Sequence, residues 1–181
     1  MTEQQVILVD EKDNFLGTTG KGKAHKEGLL HRAFSIFIIN SKGEIMLQKR
    51  AKTKYHSPLL WTNTCCSHQI YGETSLQAGR RRLMEEMNID CELVQVFSFV
   101  YKADLDRGLT EHEFDHVLFG YFNGEPILNP DEVEDWKWIS IAEIKRDIKI
   151  NEMEFTPWLK IILDKFSHFF EPENIMNYKK L

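Results

Sequence analysis

The sequence predicts an α/β sandwich built on a mixed sheet. Several short runs alternate in polarity or are apolar throughout, bounded by Gly, Asn, Asp and Ser, which is the pattern of strands separated by turns. Two other stretches repeat apolar residues at steps of three and four, each marking one packed helix face. They are Leu76, Gly79, Leu83 and Met87, then Leu159, Ile162, Leu163, Phe166 and Phe170. No repeat, low-complexity segment or linker divides the 181 residues. A single domain over 1–181 is expected, long enough to bury one sizeable core.

Residues 6–9 form the first strand, turned at 11–14 and returned antiparallel over 15–19. The glycine- and lysine-rich segment 21–30 reads as a loop or irregular cover. His31 opens a strong strand, AFSIFIIN, and Ser41-Lys42-Gly43 turns it into a return strand over 44–50. Residues 52–60 are a polar loop marked by Ser57-Pro58. A short run from Trp61 to Cys66 leads through a turn at Gly72 into the first amphipathic helix, capped by Thr74 or Ser75. Residues 93–101 are a strand, 104–109 a loop around Gly108, and 113–122 a second strand stopped at Asn123-Gly124. An acidic loop at 129–135 precedes a short strand at 136–139. Ser140 and Glu143 make a capping box for the next helix. Thr156 caps and Pro157 starts the last one.

Net charge is −5, which argues against general nucleic-acid binding. The charge is unevenly placed. Residues 21–54 carry nine Lys or Arg and two acids, whereas 104–135 carry ten acids and one Arg. A basic segment facing an acidic one suits an anionic ligand held through metal ions. No apolar run approaches the roughly 20 residues that a membrane span needs. The opening MTEQQVILVDEKD has no basic region followed by an apolar one, so it does not read as a secretory signal. Three cysteines, two of them adjacent, do not make a disulfide framework. A cytoplasmic protein with a working thiol is expected.

The stretch WTNTCCSHQIYGETSLQAGRRRLMEEMNI, 61–89, concentrates the chemistry. A thiol pair, a histidine, three arginines and two glutamates lie within one strand, turn and helix. Arg81 and Glu85 share a helix face, as do Arg82 and Glu86. The helix resembles a degenerate Nudix box, G-x5-E-x7-R-E-U-x-E-E-x-G-U with U aliphatic. Glu73, Arg81, Leu83, Glu85, Glu86 and Ile89 match it, and Ser67 stands at the first Gly. Asn88 replaces the last Gly, and Asn tolerates left-handed backbone better than most residues. Arg82 replaces the Glu after the Arg, which implies diphosphate binding without the usual hydrolysis. Cys-x-His beside that departure, with LLHRAFS at 29–35, EHE at 111–113 and FTPW at 155–158, is similar to the type I isopentenyl-diphosphate isomerases. The resemblance covers nearly the whole chain and implies the Nudix α/β/α sandwich.

What the resemblance implies about the site is specific. His25, His31, His68, Glu111 and Glu113 stand where the family binds one divalent ion, Mn2+, Zn2+ or Mg2+. Glu111 and Glu113 are two apart, so on an extended segment both carboxylates point to one side. His112 and His116 compete by proximity, and His112 should face away from its Glu neighbours. A second ion, Mg2+, is expected to bridge substrate diphosphate to Glu86, with the backbone carbonyl of Cys66. Lys21, Arg50, Lys54 and Arg82 are expected to take the remaining diphosphate charge.

The reaction implied converts isopentenyl diphosphate to dimethylallyl diphosphate by protonation and deprotonation through a tertiary carbocation. It needs one group that gives a proton and one that takes it. Cys66 and Glu113 fill those roles, in either order. Cys65 and Cys91 read as buried thiols, Cys65 because adjacent strand residues face opposite ways. Trp158 is expected over the isoprenyl carbons, Tyr101 against the catalytic carboxylate, and Trp61 on the pocket wall. The partner is a small-molecule diphosphate, with no nucleic acid or membrane, and the protein a monomer or weak homodimer. The rivals are an ordinary Nudix hydrolase, which Arg82 and Cys66-x-His68 disfavour, and a non-catalytic Nudix-like binding module.

Overall fold

The computed structural model describes residues 3–178. A mixed sheet is built from β1 (Gln5–Val9), β2 (Phe15–Gly20), β3 (His31–Ile39), β4 (Ile45–Arg50), β5 (Trp61–Thr62), β6 (Cys65–Ser67), β7 (Leu93–Asp104), β8 (Thr110–Tyr121) and β9 (Val133–Ile139). β3 is its centre. β8 runs parallel along one edge of β3, from His31 opposite Glu113 to Ile39 opposite Tyr121. β1, β6 and β4 share the other edge, all antiparallel. β7 covers the outer edge of β8, and β9 pairs with β4.

The apolar run of β3 follows from its burial on both faces. Phe34, Ile36 and Ile38 pack toward α2 (Ser75–Met87) with Ala78, Leu83 and Met87. Phe37 and Ile39 pack the other way, against Ile144 of α3 (Ile141–Ile150) and Leu159, Ile162 and Leu163 of α4 (Pro157–Lys165). Helices on both faces of a mixed sheet give the expected α/β/α sandwich. Among the described residues, no helix is long and apolar enough to cross a membrane.

The helix that carries the box is fixed at both ends. Thr74 is its N-cap, and Gln77 completes a capping box. Asn88 closes it at φ 52°, the left-handed conformation for which the Nudix pattern uses glycine. Gly79 lets the helix lie close to the sheet, because a Cβ there would stand 2.8 Å from Leu118 and 3.1 Å from Leu93. Gly79→Val is therefore expected to cost about 1–3 kcal/mol by overpacking. Urea denaturation checks this, and a midpoint at or above that of the wild type would show the contact to be loose.

Four sequence expectations are corrected. Segment 21–30 is not a loop: α1 (Lys21–Glu27) fills most of it, ended by Gly28 at φ 62°. Two turns with Gly22 inside are too short to print a helical period, and packing against β8 supplies the order. β7 and β8 each extend three residues further toward their shared hairpin than expected, which places Glu111 on the strand. β9 starts at Val133, inside the acidic stretch. α4 ends at Lys165, so Phe166 and Phe170 lie beyond it, and α5 (Pro172–Tyr178) is the last helix among the described residues.

Candidate active site and metal centre

A cavity of about 290 Å³ lies beside the first half of β3, walled by β6, β8, α1, the loop after β4, and single residues from α2 and α4. Four residues bring ligand atoms within 4.8 Å of one another, His68 and Glu113 on the cavity lining and His25 and His31 fully buried. Local hydrogen bonds set two of the tautomers. His25 donates Nδ1–H to the Lys21 carbonyl at 2.7 Å, and His31 donates Nδ1–H to the Leu29 carbonyl at 2.8 Å. The Nε2 lone pair of each is left free to bind.

Three electron-rich atoms then crowd together. His68 Nε2 is 3.1 Å from His31 Nε2 and 3.0 Å from Glu113 Oε1, and His31 Nε2 is 3.6 Å from the same oxygen. Such lone pairs repel unless a cation lies among them. His25 Nε2 is buried and has no hydrogen-bond partner among the described residues. Burial pushes His25 down to about 4 and His68 down to about 3, so both are neutral at pH 7, as ligating imidazoles are. The donor set fits a divalent ion.

Glu111 stands beside this group. The Tyr101 hydroxyl lies 2.8 Å from Glu111 Oε2 and 2.6 Å from Glu113 Oε2, and so ties the two carboxyls together. Burial and the charge of Glu113 push the Glu111 carboxyl well up. Burial acts on Glu113 in the same sense, but His31 and His68 hold it well below the usual range. Glu111 also forms a second cluster with His25 and His56, and its Oε1 is 3.8 Å from His56 Nε2.

Cys66 and Cys65 alternate as strand neighbours must. Cys65 is fully buried in the core beneath α2, whereas Cys66 lines the cavity. Burial pushes the Cys66 thiol up to about 12, against the pull of Arg50, whose Nη1 is 4.0 Å from its sulfur. The buried Arg50 is held by the carbonyls of Ser57 and His56 at 3.0 and 3.1 Å, and its guanidinium lies 5.3 Å from the Trp158 ring centre. Trp158 donates Nε1–H to Asn63 Oδ1 at 3.1 Å, which fixes its ring in the wall.

Lys21, Lys54 and Arg82 also line the cavity. Burial, Lys54 and Arg50 together lower the Lys21 ammonium to about 8. Arg82 donates to Glu85 at 2.6 Å, Glu86 at 2.7 Å and Glu132 at 2.9 Å. Gln48 donates to the other oxygen of Glu86 at 3.1 Å. Lys54 pairs with the second oxygen of Glu132.

Residues 29–159 match the family model of the NUDIX domain. An Aromatoleum aromaticum protein named isopentenyl-diphosphate Delta-isomerase 2 is 54% identical over 163 residues, covering 90% of this chain and 86% of that protein. The chain belongs to the isopentenyl-diphosphate Delta-isomerase family of the NUDIX superfamily. Another isopentenyl-diphosphate Delta-isomerase 2, from Photorhabdus laumondii, is 48% identical over 166 residues, 92% of this chain and 94% of that protein. In fold, the chain is similar to a Deinococcus radiodurans crystal structure with TM-score 0.72 and 19% identity, covering 88% and 97% of the two chains. A MutT protein from Methanosarcina mazei gives TM-score 0.58 at 20% identity, covering 84% and 96%.

Most of the residues singled out by the family resemblance meet here. Trp61 does not. Its ring packs against the helix-side core and lies under Lys137 at 4.4 Å and Lys49 at 5.9 Å. Strand alternation gives the inward position to Thr62, which is fully buried. Glu86 is 1% exposed and sits behind Arg82, off the cavity wall. His112 faces away, bonded to the Gly28 carbonyl at 2.9 Å, and His116 pairs with Asp13 at 3.1 Å, outside the cluster.

Sequence reasoning missed His56 and Glu132. His56 is a single histidine in a polar loop, with no spacing to mark it. Burial, Arg50 and Lys21 push it down to about 2, so it is a neutral ring against Glu111. For Glu132 a signal existed: the basic 21–54 and acidic 104–135 segments do face each other, and Lys54 with Glu132 is one of the contacts.

Proposed function

We propose that this member of the isomerase family interconverts isopentenyl diphosphate and dimethylallyl diphosphate. The observation that carries the reading is one cavity lined at once by the Cys66 thiol, the Glu113 carboxylate and four cations, Lys21, Arg50, Lys54 and Arg82. The carbon skeleton would lie between Cys66 and Glu113, and the diphosphate against Lys21, Arg50, Lys54 and Arg82. One of the two groups gives a proton to the terminal alkene carbon, leaving a tertiary cation. The other removes a proton from the carbon on the far side of that centre. Cys66 sits on β6 and Glu113 on β8, and these strands flank opposite edges of β3. The two groups therefore approach the cavity from different sides.

Tyr101 holds Glu113 in place through its hydroxyl. Trp158 closes the cavity with an aromatic wall, which shields a cation from water and stabilises it. His25, His31, His68, Glu113 and Glu111 would hold one divalent ion, Mn2+, Zn2+ or Mg2+, which when bound supplies positive charge that fixes Glu113. Mg2+ travelling with the diphosphate would have the Cys66 carbonyl as a holder, and Glu86 once its second oxygen turns from Gln48 to the cavity. Arg82 at the box position supplies a guanidinium where a hydrolase has a metal-binding glutamate. For that reason isomerisation is favoured over hydrolysis.

NMR in D2O with isopentenyl diphosphate and Mg2+ tests this. Dimethylallyl diphosphate carrying deuterium in a methyl group is the expected product. Intact substrate, with phosphate released from nucleoside diphosphate compounds in a parallel tube, would hand the site to hydrolysis. The metal centre has its own test. His68→Ala is expected to lower the bound divalent metal of the purified protein to well under half the wild-type content, measured by elemental analysis. Retention of tightly bound metal would remove His68 from the ligand set.

A further inference from the structure

We infer that Glu132 is a built-in competitor for the cations that receive the diphosphate, an internal anion which the substrate displaces. The inference rests on the reading of Lys54 and Arg82 as diphosphate-binding groups. Glu132 lines the cavity, and its two oxygens are divided between them: one accepts from Arg82 at 2.9 Å, the other from Lys54. A single carboxylate thus bridges both cations, in the way two oxygens of one phosphate group would.

Both N–H groups on Nη2 of Arg82 are already engaged. Its Nη1 serves Glu85, and its Nη2 serves Glu86 and Glu132. Its Nε is buried without a partner among the described residues. Of these three carboxylates only Glu132 lies on the cavity wall. A phosphate oxygen that reaches Nη2 from the cavity must therefore take the place of Glu132.

The backbone around Glu132 is held firmly, so the exchange needs only its side chain to turn. Asn129 N–H donates to the Glu86 carbonyl at 2.9 Å, and Asn129 Nδ2 donates to the Glu85 carbonyl at 3.2 Å. Ala51 N–H donates to the Glu132 carbonyl at 3.0 Å. The same staple aligns the end of β4 and thereby Lys54, whose N–H donates to the Ala51 carbonyl at 3.1 Å. Arg82 keeps Glu85 and Glu86 when Glu132 leaves, so neither cation loses its position. A diphosphate carries more negative charge than one carboxylate and wins the exchange, at the cost of some affinity. Removing the competitor should tighten binding, whereas removing a mere structural strut would weaken it.

Calorimetric titration of the metal-loaded protein with inorganic pyrophosphate and Mg2+ distinguishes these outcomes. Glu132→Gln is expected to bind pyrophosphate roughly fivefold more tightly than the wild type, the scale of one partly exposed ion pair. Glu132→Asp, which keeps the charge, should stay nearer the wild type. Lys54→Met should weaken binding. Pyrophosphate affinity that is unchanged or weaker in Glu132→Gln and in Glu132→Ala, with Lys54→Met weakened, would overturn the competitor role and leave the cation assignment intact. Unchanged affinity in Lys54→Met would overturn the cation assignment and the competitor role with it.

Discussion

Glu113→Gln is expected to abolish isomerisation while the chain still folds. Two roles meet on this carboxylate. Its Oε1 lies 3.0 Å from His68 Nε2 among the convergent histidines, and its Oε2 accepts the Tyr101 hydroxyl proton at 2.6 Å. An amide keeps the shape but cannot exchange a proton near neutral pH, and its oxygen is a weaker ligand. Loss of a positioned acid or base alone costs about 10²–10⁴-fold in rate. The loss here should reach the upper end of that range, because ligation is damaged as well. Turnover in the D2O assay, with metal content measured on the same preparation, checks this. A Glu113→Gln enzyme with near-wild-type turnover would refute the mechanism.

Cys66→Ala should have a comparable effect on rate by a cleaner route. Cys66 is not among the atoms that converge on the metal centre, so bound metal should match the wild type. Its thiol packs beside Arg50 on the cavity wall rather than in the core, so the melting temperature should move little. Turnover should fall about 10²–10⁴-fold. The pair Cys65 and Cys66 provides an internal control. Cys65 is fully buried among Phe34, Ile36 and Leu83, and its replacement should trade stability for little change in rate in the protein that remains folded. Equal turnover losses in the two variants would mean that Cys66 acts through packing and not through its proton.

Much of the site could be read in the sequence because its signals are local. The thiol pair on a strand determined that one sulfur would face the core and the other the cavity. Glu111 and Glu113, two apart, determined that both carboxylates would share a face once the segment was extended. Arg81, Arg82, Glu85 and Glu86 determined their own pairing through helical spacing, and Asn88 the left-handed end. The resemblance then brought His25, His31 and His68 to the same place, which spacing alone could not.

The tertiary structure decided whatever depends on who faces whom across the chain. α1 owes its order to packing against β8, because seven residues make no helical period of their own. Trp61 turned away from the cavity and against the helix-side core because register and alternation on a two-residue strand gave the other face to Thr62. His56 entered the site through a loop whose path is set by Arg50 holding its carbonyl. Glu132 reached Arg82 because backbone hydrogen bonds staple its segment to the end of α2, 50 residues away in sequence. Local chemistry is written in spacing, but a contact between distant segments is chosen by the free energy of the whole packed sheet.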